Sequence, residues 1–196
     1  MSAPERGSDR RTLIADSAIE LVAAAGLRGL THRAVDGTAG LPAGSTSYYF
    51  RTRTALIGAC YARLAELDLD DFDGGAPPES TDRDAAAAAV AAVLYRWLTT
   101  GRSRQLARFE LSLEAARNPE LATELHRAGR GPRELAAGIL AALGATRPAE
   151  SAELLVAWAD GLLYDRLAGA LAHTRPAPDP AELTAVARRM LDAVLA

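Results

Sequence analysis

The chain has 196 residues, 49% of them hydrophobic, with 22 basic and 25 acidic side chains and a formal net charge of −3. That length allows one or two small domains with a sizeable core, and that charge excludes a generally basic nucleic-acid coat. The single cysteine, Cys60, excludes an internal disulfide and a cysteine-based metal cluster, and the longest apolar run, Ala85 to Leu94, is far too short to span a bilayer.

No signal peptide precedes the first helix pattern, so the expectation is a soluble cytoplasmic protein with no membrane partner. The first nine residues are polar and predicted to be disordered. Arg10 to Ala25 reads as an amphipathic helix, with Ile14, Ala18, Leu21, Val22 and Ala25 on one stripe and Gly26 as its end. Thr31 caps a second helix whose inward residues are Ala34, Val35 and Thr38. Ala39-Gly40 then supplies a small residue and a glycine free to take positive φ. Pro42 pre-sets φ for the start of a third helix, Ser45 to Phe50. From Thr52, an N-cap, a long fourth helix carries Leu56, Ile57, Cys60, Tyr61, Leu64 and Leu67. It stops at the acidic stretch Asp68–Asp73 and the breaker Gly74–Pro78. Helices follow over 82–100, 103–117, 119–143, 149–173 and 180–195, with Gly129–Pro132 breaking or kinking the third of these. Strand-like alternation is absent. The prediction is an all-α chain of about nine helices: a three-helix head over 1–51 and a helical body over 52–196.

The second and third helices form a helix-turn-helix, of which the third helix of the chain belongs in a DNA major groove. Ser45, Thr46, Ser47, Tyr48 and Tyr49 offer hydroxyls to phosphates and base edges, and Gly44 lets the backbone approach closely. Thr46 and Tyr48 are the candidates for base-edge contact. Thr31, Arg33, Arg51 and Arg53 surround them, with Arg53 expected on a phosphate; His32 could approach a phosphate or face solvent. Charge is distributed accordingly. Residues 1–53 hold seven Arg and five acids, a balance of +2, and residues 54–196 hold fifteen Arg and twenty acids, a balance of −5. Lys is absent, so every charged phosphate contact must come from a guanidinium.

The segment Thr31–Leu56 resembles the DNA-binding head of the TetR (tetracycline-repressor-like) family of bacterial transcription regulators. The family pattern is roughly T-x-x-x-(I/V)-A-x-x-A-G-(V/L)-S-x-G-(S/T)-(L/I)-Y-x-(H/Y)-F-x-(S/T)-(K/R)-x-x-L. Thr31, Val35, Ala39, Gly40, Leu41, Gly44, Ser45, Tyr49, Phe50, Thr52, Arg53 and Leu56 fall in register with it. Asp36 stands where the family prefers Ala, Pro42 where it prefers a capping Ser, and Ser47 where it prefers Tyr. The last two departures remove hydroxyls that relatives often place on phosphate, so those contacts are not carried over. The resemblance extends to the nine-helix layout of nearly the whole chain.

The body has no motif of its own. The resemblance implies an effector cavity among the fourth to eighth helices, and Tyr61, Trp97, Phe109, Glu110, Leu113, Trp158 and Leu162 are its candidate lining. Ordinary core packing is the competing reading of the apolar members, and pairing with an arginine that of Glu110. Tyr95, Asp165 and His126 carry weaker versions of the same choice. His32, His126 and His173 are too scattered for a metal site, and Asp68, Asp70, Asp71 and Asp73 lack the glycine and glutamate of a calcium loop. No nucleophile–base pair, cofactor loop or metal cluster supports an enzyme, and no cofactor is expected. The last two helices carry more apolar surface than one chain can cover; Leu155, Gly161, Ala168, Val186, Met190 and Val194 are placed at a homodimer seam, as the resemblance also implies. The expected function is a homodimeric repressor on a near-palindromic double-stranded operator, released by an unknown small-molecule effector. The alternative is an effector-independent regulator with a filled body.

Overall fold

The computed structural model describes residues 3–72 and 82–196. Among them lie nine α-helices and no strand: α1 Ala3–Gly29, α2 His32–Thr38, α3 Ser45–Tyr49, α4 Arg53–Asp70, α5 Arg83–Leu98, α6 Arg102–Ala115, α7 Pro119–Ala142, α8 Pro148–Leu167 and α9 Pro180–Val194. The glycine-rich breaker expected at Gly74–Pro78, and Asp73 with it, lie outside the described residues.

Most helix starts follow from side-chain caps. Thr31 Oγ1 accepts from the Ala34 amide at 3.1 Å, and Thr52 Oγ1 from Ala55 at 3.0 Å. Asp82 and Asp179 cap α5 and α9 the same way, and Pro180 occupies the first turn of α9, where its missing N–H costs nothing. Two expectations need correction. α1 begins at Ala3, within the segment expected to be disordered. At Gly26 (φ 63°, ψ −175°) the backbone leaves the helical region and two helical stretches meet across a kink, in line with the helix end expected there. α7 is helical on both sides of Gly129–Pro132, with Pro132 inside the helix. α8 stops at Leu167, short of residue 173. There the Ala168 and Gly169 amides both donate to the Tyr164 carbonyl, and a Cβ on Gly169 would lie 2.6 Å from the Asp165 oxygen.

The chain forms two compact units. The first comprises Met1–Glu66 and Leu106–Ala128. Its core joins Ile14, Ala18 and Val22 of α1, Val35 of α2, Leu56, Ile57, Cys60 and Leu64 of α4, Ala107 and Leu111 of α6, and Leu121 of α7. Packing therefore has no break at residue 51: the three-helix head shares one core with α4 and with parts of α6 and α7. Arg63 strengthens this unit by reaching Asp16 at 2.8 Å. Cys60 is fully enclosed, and burial pushes its thiol up to about 12, which leaves it an inert packing group.

The second unit comprises Leu67–Gln105 and Gly129–Ala196. Here α5 and α9 pack most extensively. Ala87 and Ala91 of α5 are small enough to admit the inward residues Leu183, Ala187, Leu191 and Val194 of α9. Ser151 of α8 donates its hydroxyl to the Val194 carbonyl at 2.8 Å, and Arg166 of α8 pairs with Glu182 of α9.

Candidate nucleic-acid interface

The α2–α3 segment is built by hydrogen bonds across the six-residue connection 39–44. Gly40 takes φ +62°, and the Leu41 amide returns to the Asp36 carbonyl at 2.8 Å. Pro42 lies ahead of α3, in a turn closed by the Ser45 amide and hydroxyl, which both donate to the Pro42 carbonyl at 3.1 and 2.6 Å. Gly44 then precedes the helix at φ +90°, a conformation that an L side chain would strain.

Asp36 closes the arrangement. It is only 4% exposed, and its carboxylate accepts three bonds: from the Gly44 amide (2.8 Å), the Thr46 amide (2.7 Å) and the Thr46 hydroxyl (2.6 Å). Burial pushes its carboxyl up, but the bonds from Thr46 and Gly44 and the nearby His32 outweigh that and hold it below the usual carboxylate value. In sequence Asp36 was visible only as a departure from Ala. The signal for its partnership was Thr46, a hydroxyl at a position where the family pattern has Leu or Ile.

This geometry sorts the expected DNA contacts. Tyr48 is 79% exposed and Ser47 is exposed beside it. Arg33 of α2 and Arg51 are exposed as well. Tyr49 is half-buried, edge-on to Tyr48 at 5.1 Å, with the Arg11 guanidinium over its ring at 5.5 Å. Thr31 spends its hydroxyl on the α2 cap, and Ser45 spends its own on Pro42. Thr46 corrects the sequence reading: it is fully buried and bonded to Asp36, so it does not present its hydroxyl to a base. Arg53 has a structural partner that the sequence reading did not include. Its guanidinium, although exposed, donates to the Leu27 carbonyl at 2.5 Å and to the Leu30 carbonyl, tying the start of α4 to the end of α1. His32 donates a ring N–H to the Phe50 carbonyl at 2.7 Å, and Thr38, expected inward, is exposed.

Residues 81–196 match the family model described as the tetracyclin repressor-like C-terminal domain. The chain belongs to the TetR family of DNA-binding transcriptional regulators. Among solved structures it is similar to the multidrug binding protein EbrR in its complex with ethidium (31% identity over 92% of this chain and 98% of that one, TM-score 0.68) and in its complex with imidazole (31%, 92% and 94%, 0.66). A TetR-family member from Streptomyces coelicolor is equally similar (31%, 92% and 97%, 0.68). No curated protein sequence matches the chain.

Within this TetR-family body, the expected effector residues fall in two groups. Tyr61, Phe109, Glu110 and Leu113 belong to the first unit, and Trp97, Trp158 and Leu162 to the second. Tyr61 is a core residue: it is 2% exposed, its hydroxyl donates to the Leu111 carbonyl at 2.8 Å, and burial pushes its pKa up to about 12. Phe109 is half-buried under the Arg108 guanidinium (5.4 Å). Glu110 and Leu113 are exposed, Leu162 is half-buried, and Trp158 is exposed on α8. Within the second unit, a groove of about 440 Å³ lies between α5 and the start of α9, lined by Ala91, Tyr95, Arg96, Thr99 and Thr184 among others. Tyr95, one of the weaker effector candidates, lines it, and the seven principal candidates do not.

Trp97 is buried for a different reason. Its indole N–H donates to Asp71 at 2.6 Å, and the same carboxylate accepts from Arg96 at 2.9 Å and from Arg104. Burial raises the Asp71 carboxyl, but the bonds from Trp97, Arg96 and Arg104 prevail and lower it from the ordinary value of 3.8. A carboxylate lowered in the native state adds stability that is present above that ordinary value and lost as pH falls through the native one. Asp71→Asn is therefore expected to cost about 2 kcal/mol at neutral pH, the scale of a lost charged hydrogen bond. Urea melts at neutral and acid pH test this: the gap between wild type and variant should narrow in acid, and a gap independent of pH would refute the charge argument.

At the expected dimer seam, Gly161 and Ala168 are exposed and Leu155, Val186 and Met190 half-buried. Val194 corrects the list, because it is buried in the chain's own α5–α9 packing. The outward face of α8 is apolar, with Leu154, Trp158 and Tyr164 all exposed.

Proposed function

We propose that this TetR-family regulator is a homodimeric repressor whose residues 1–51 read successive major-groove turns of a near-palindromic operator. Residues 52–196 would carry dimerisation and small-molecule control. The observation that carries the DNA reading is the outward surface of the clamped α2–α3 segment. Ser47 and Tyr48 stand exposed on α3, flanked by Arg33 and Arg51. Tyr48 is the base reader, able to meet a thymine methyl with its ring and an acceptor with its hydroxyl. Arg33 supplies position without sequence information.

A mobility-shift assay against the protein's own upstream DNA tests this. Arg33→Ala should weaken operator and random DNA alike and lower the salt slope by about one unit, whereas Tyr48→Ala should change which operator variants are preferred. Uniform weakening by Tyr48→Ala would remove it from base readout.

For effector control, the similarity to EbrR makes a planar cationic aromatic compound such as ethidium the first ligand to try. Release requires that the ligand prefer the state that cannot span the operator, and it extends only as far as that preference. α4 is the natural route, because it contributes residues up to Glu66 to the first unit and from Leu67 to the second. A second reading, a regulator without an effector, is favoured by Tyr61 and Trp97, whose side chains are buried and whose polar atoms are bonded within the protein. Ethidium that raises the melting temperature and displaces operator supports the first reading; ethidium that does neither supports the second.

A further inference from the structure

We infer that Asp36 is a positioning residue for DNA reading: with Thr46 it forms a polar pair that sets the orientation of α3 and hence what Ser47 and Tyr48 meet. This rests on α3 being the DNA-reading helix. The helix has five residues, too few to be stable or oriented by itself. Its only fully buried residue is Thr46. Its C-terminal end is held by Phe50, which is buried in the first unit's core and whose carbonyl accepts from His32, and its N-terminal end by one carboxylate on α2.

The geometry is restrictive. Oδ1 of Asp36 takes both donors of Thr46, while Oδ2 takes the Gly44 amide two residues earlier. Two anchor points on α3 and its cap, read from one planar group, fix rotation as well as distance. An Ala–Leu pair at these positions would be held by non-directional packing that tolerates sliding. The substitutions are also mutually dependent. A buried carboxylate without the Thr46 hydroxyl loses a third of its bonds, and a buried Thr46 without the carboxylate leaves an amide and a hydroxyl without their acceptor. Neither change is favourable alone, so the pair should behave as one unit.

The test uses the full-length wild type, Asp36→Ala, Thr46→Leu, the double variant, and the milder Thr46→Val and Thr46→Ser. Operator and random-DNA affinities are measured at one salt concentration, alongside melting temperature and hydrogen exchange at the Gly44 and Thr46 amides. Asp36→Ala and Thr46→Leu should each lower the operator-to-random affinity ratio by about tenfold, with random binding almost unchanged because phosphate contacts persist. The double variant should recover most of the ratio; melting temperature and random-DNA affinity, measured in parallel, separate this coupling from a shared loss of stability. Thr46→Ser, which keeps both donors, should resemble wild type. Thr46→Val, which keeps the volume and folds even if Asp36→Ala does not, should lower the ratio by about threefold to tenfold. Asp36→Ala or Thr46→Val with an unchanged ratio would overturn the inference, as would a double variant whose loss is the product of the single losses. If wild type fails to distinguish operator from random DNA, the DNA-reading role itself falls. Amide exchange still judges the clamp in that event: fast exchange at Gly44 and Thr46 in wild type, or no acceleration in Asp36→Ala, would refute it independently.

Discussion

Gly161→Arg is expected to leave the fold of the chain intact while abolishing the dimer and lowering operator affinity by about a hundredfold or more. A Cβ at Gly161 meets nothing within 4 Å, so the new side chain has room in the isolated protomer. Helix propensity alone favours the replacement by up to about 1 kcal/mol. The same surface is the outward face of α8, where Leu154, Trp158 and Tyr164 expose apolar area that the proposed seam would cover. A guanidinium at its centre would be desolvated without a partner on dimerisation. A lone head then loses the contacts of the second half-site, about 34–36 Å away along the DNA. Light scattering reads the assembly and a mobility shift reads the affinity. A dimer that persists with full affinity would move the seam off this face of α8. Met190→Glu is a less clean probe, because Met190 is half-buried within the protomer and a charge there also disturbs the chain's own packing.

Leu111→Ala should abolish DNA binding although Leu111 lies on α6. Its side chain is fully buried in the core that α6 shares with α1, α2 and α4, and its carbonyl receives the Tyr61 hydroxyl. Truncating such a leucine costs about 2.7–5 kcal/mol, because the surrounding residues fill the space only in part. That is a large share of the roughly 5–15 kcal/mol that holds a domain folded. Phe109→Ala, two residues away, is the internal control: Phe109 is half-buried and lies under Arg108, so its loss should be clearly smaller and operator binding should survive. Thermal melts of the two variants decide the matter. Equal collapse would make Phe109 a plain core residue and remove it from any effector site. An unharmed Leu111→Ala would mean that the head folds without α6.

Much of the candidate interface could be read from the chain alone, and for a common reason. The Thr31 and Thr52 caps, the positive φ at Gly40 and the helical register of α4 depend on residues within three or four positions of one another. Such interactions leave a local imprint on the sequence. The same holds for Leu56, Ile57, Cys60 and Leu64, whose spacing marks one buried stripe. What escaped depends on partners farther along the chain. Thr46 looked like another exposed hydroxyl in a run of five; its burial follows from a carboxylate ten residues earlier. Arg53 matched a phosphate-binding position in the pattern, yet its guanidinium reaches carbonyls at Leu27 and Leu30, where α1 ends. Tyr61 and Trp97 were legible as large side chains on apolar stripes, but nothing in their spacing revealed that Leu111 and Asp71 would satisfy their polar atoms. Periodicity says which face of a helix is apolar; it does not say which helix covers that face. Helix identity, the Thr31 and Thr52 caps and the exposure of Tyr48 were thus legible in the sequence itself. Only tertiary packing decided which polar groups stay available to a ligand or to DNA, because a hydrogen-bond donor spent on a buried partner is indistinguishable, in one dimension, from a free one.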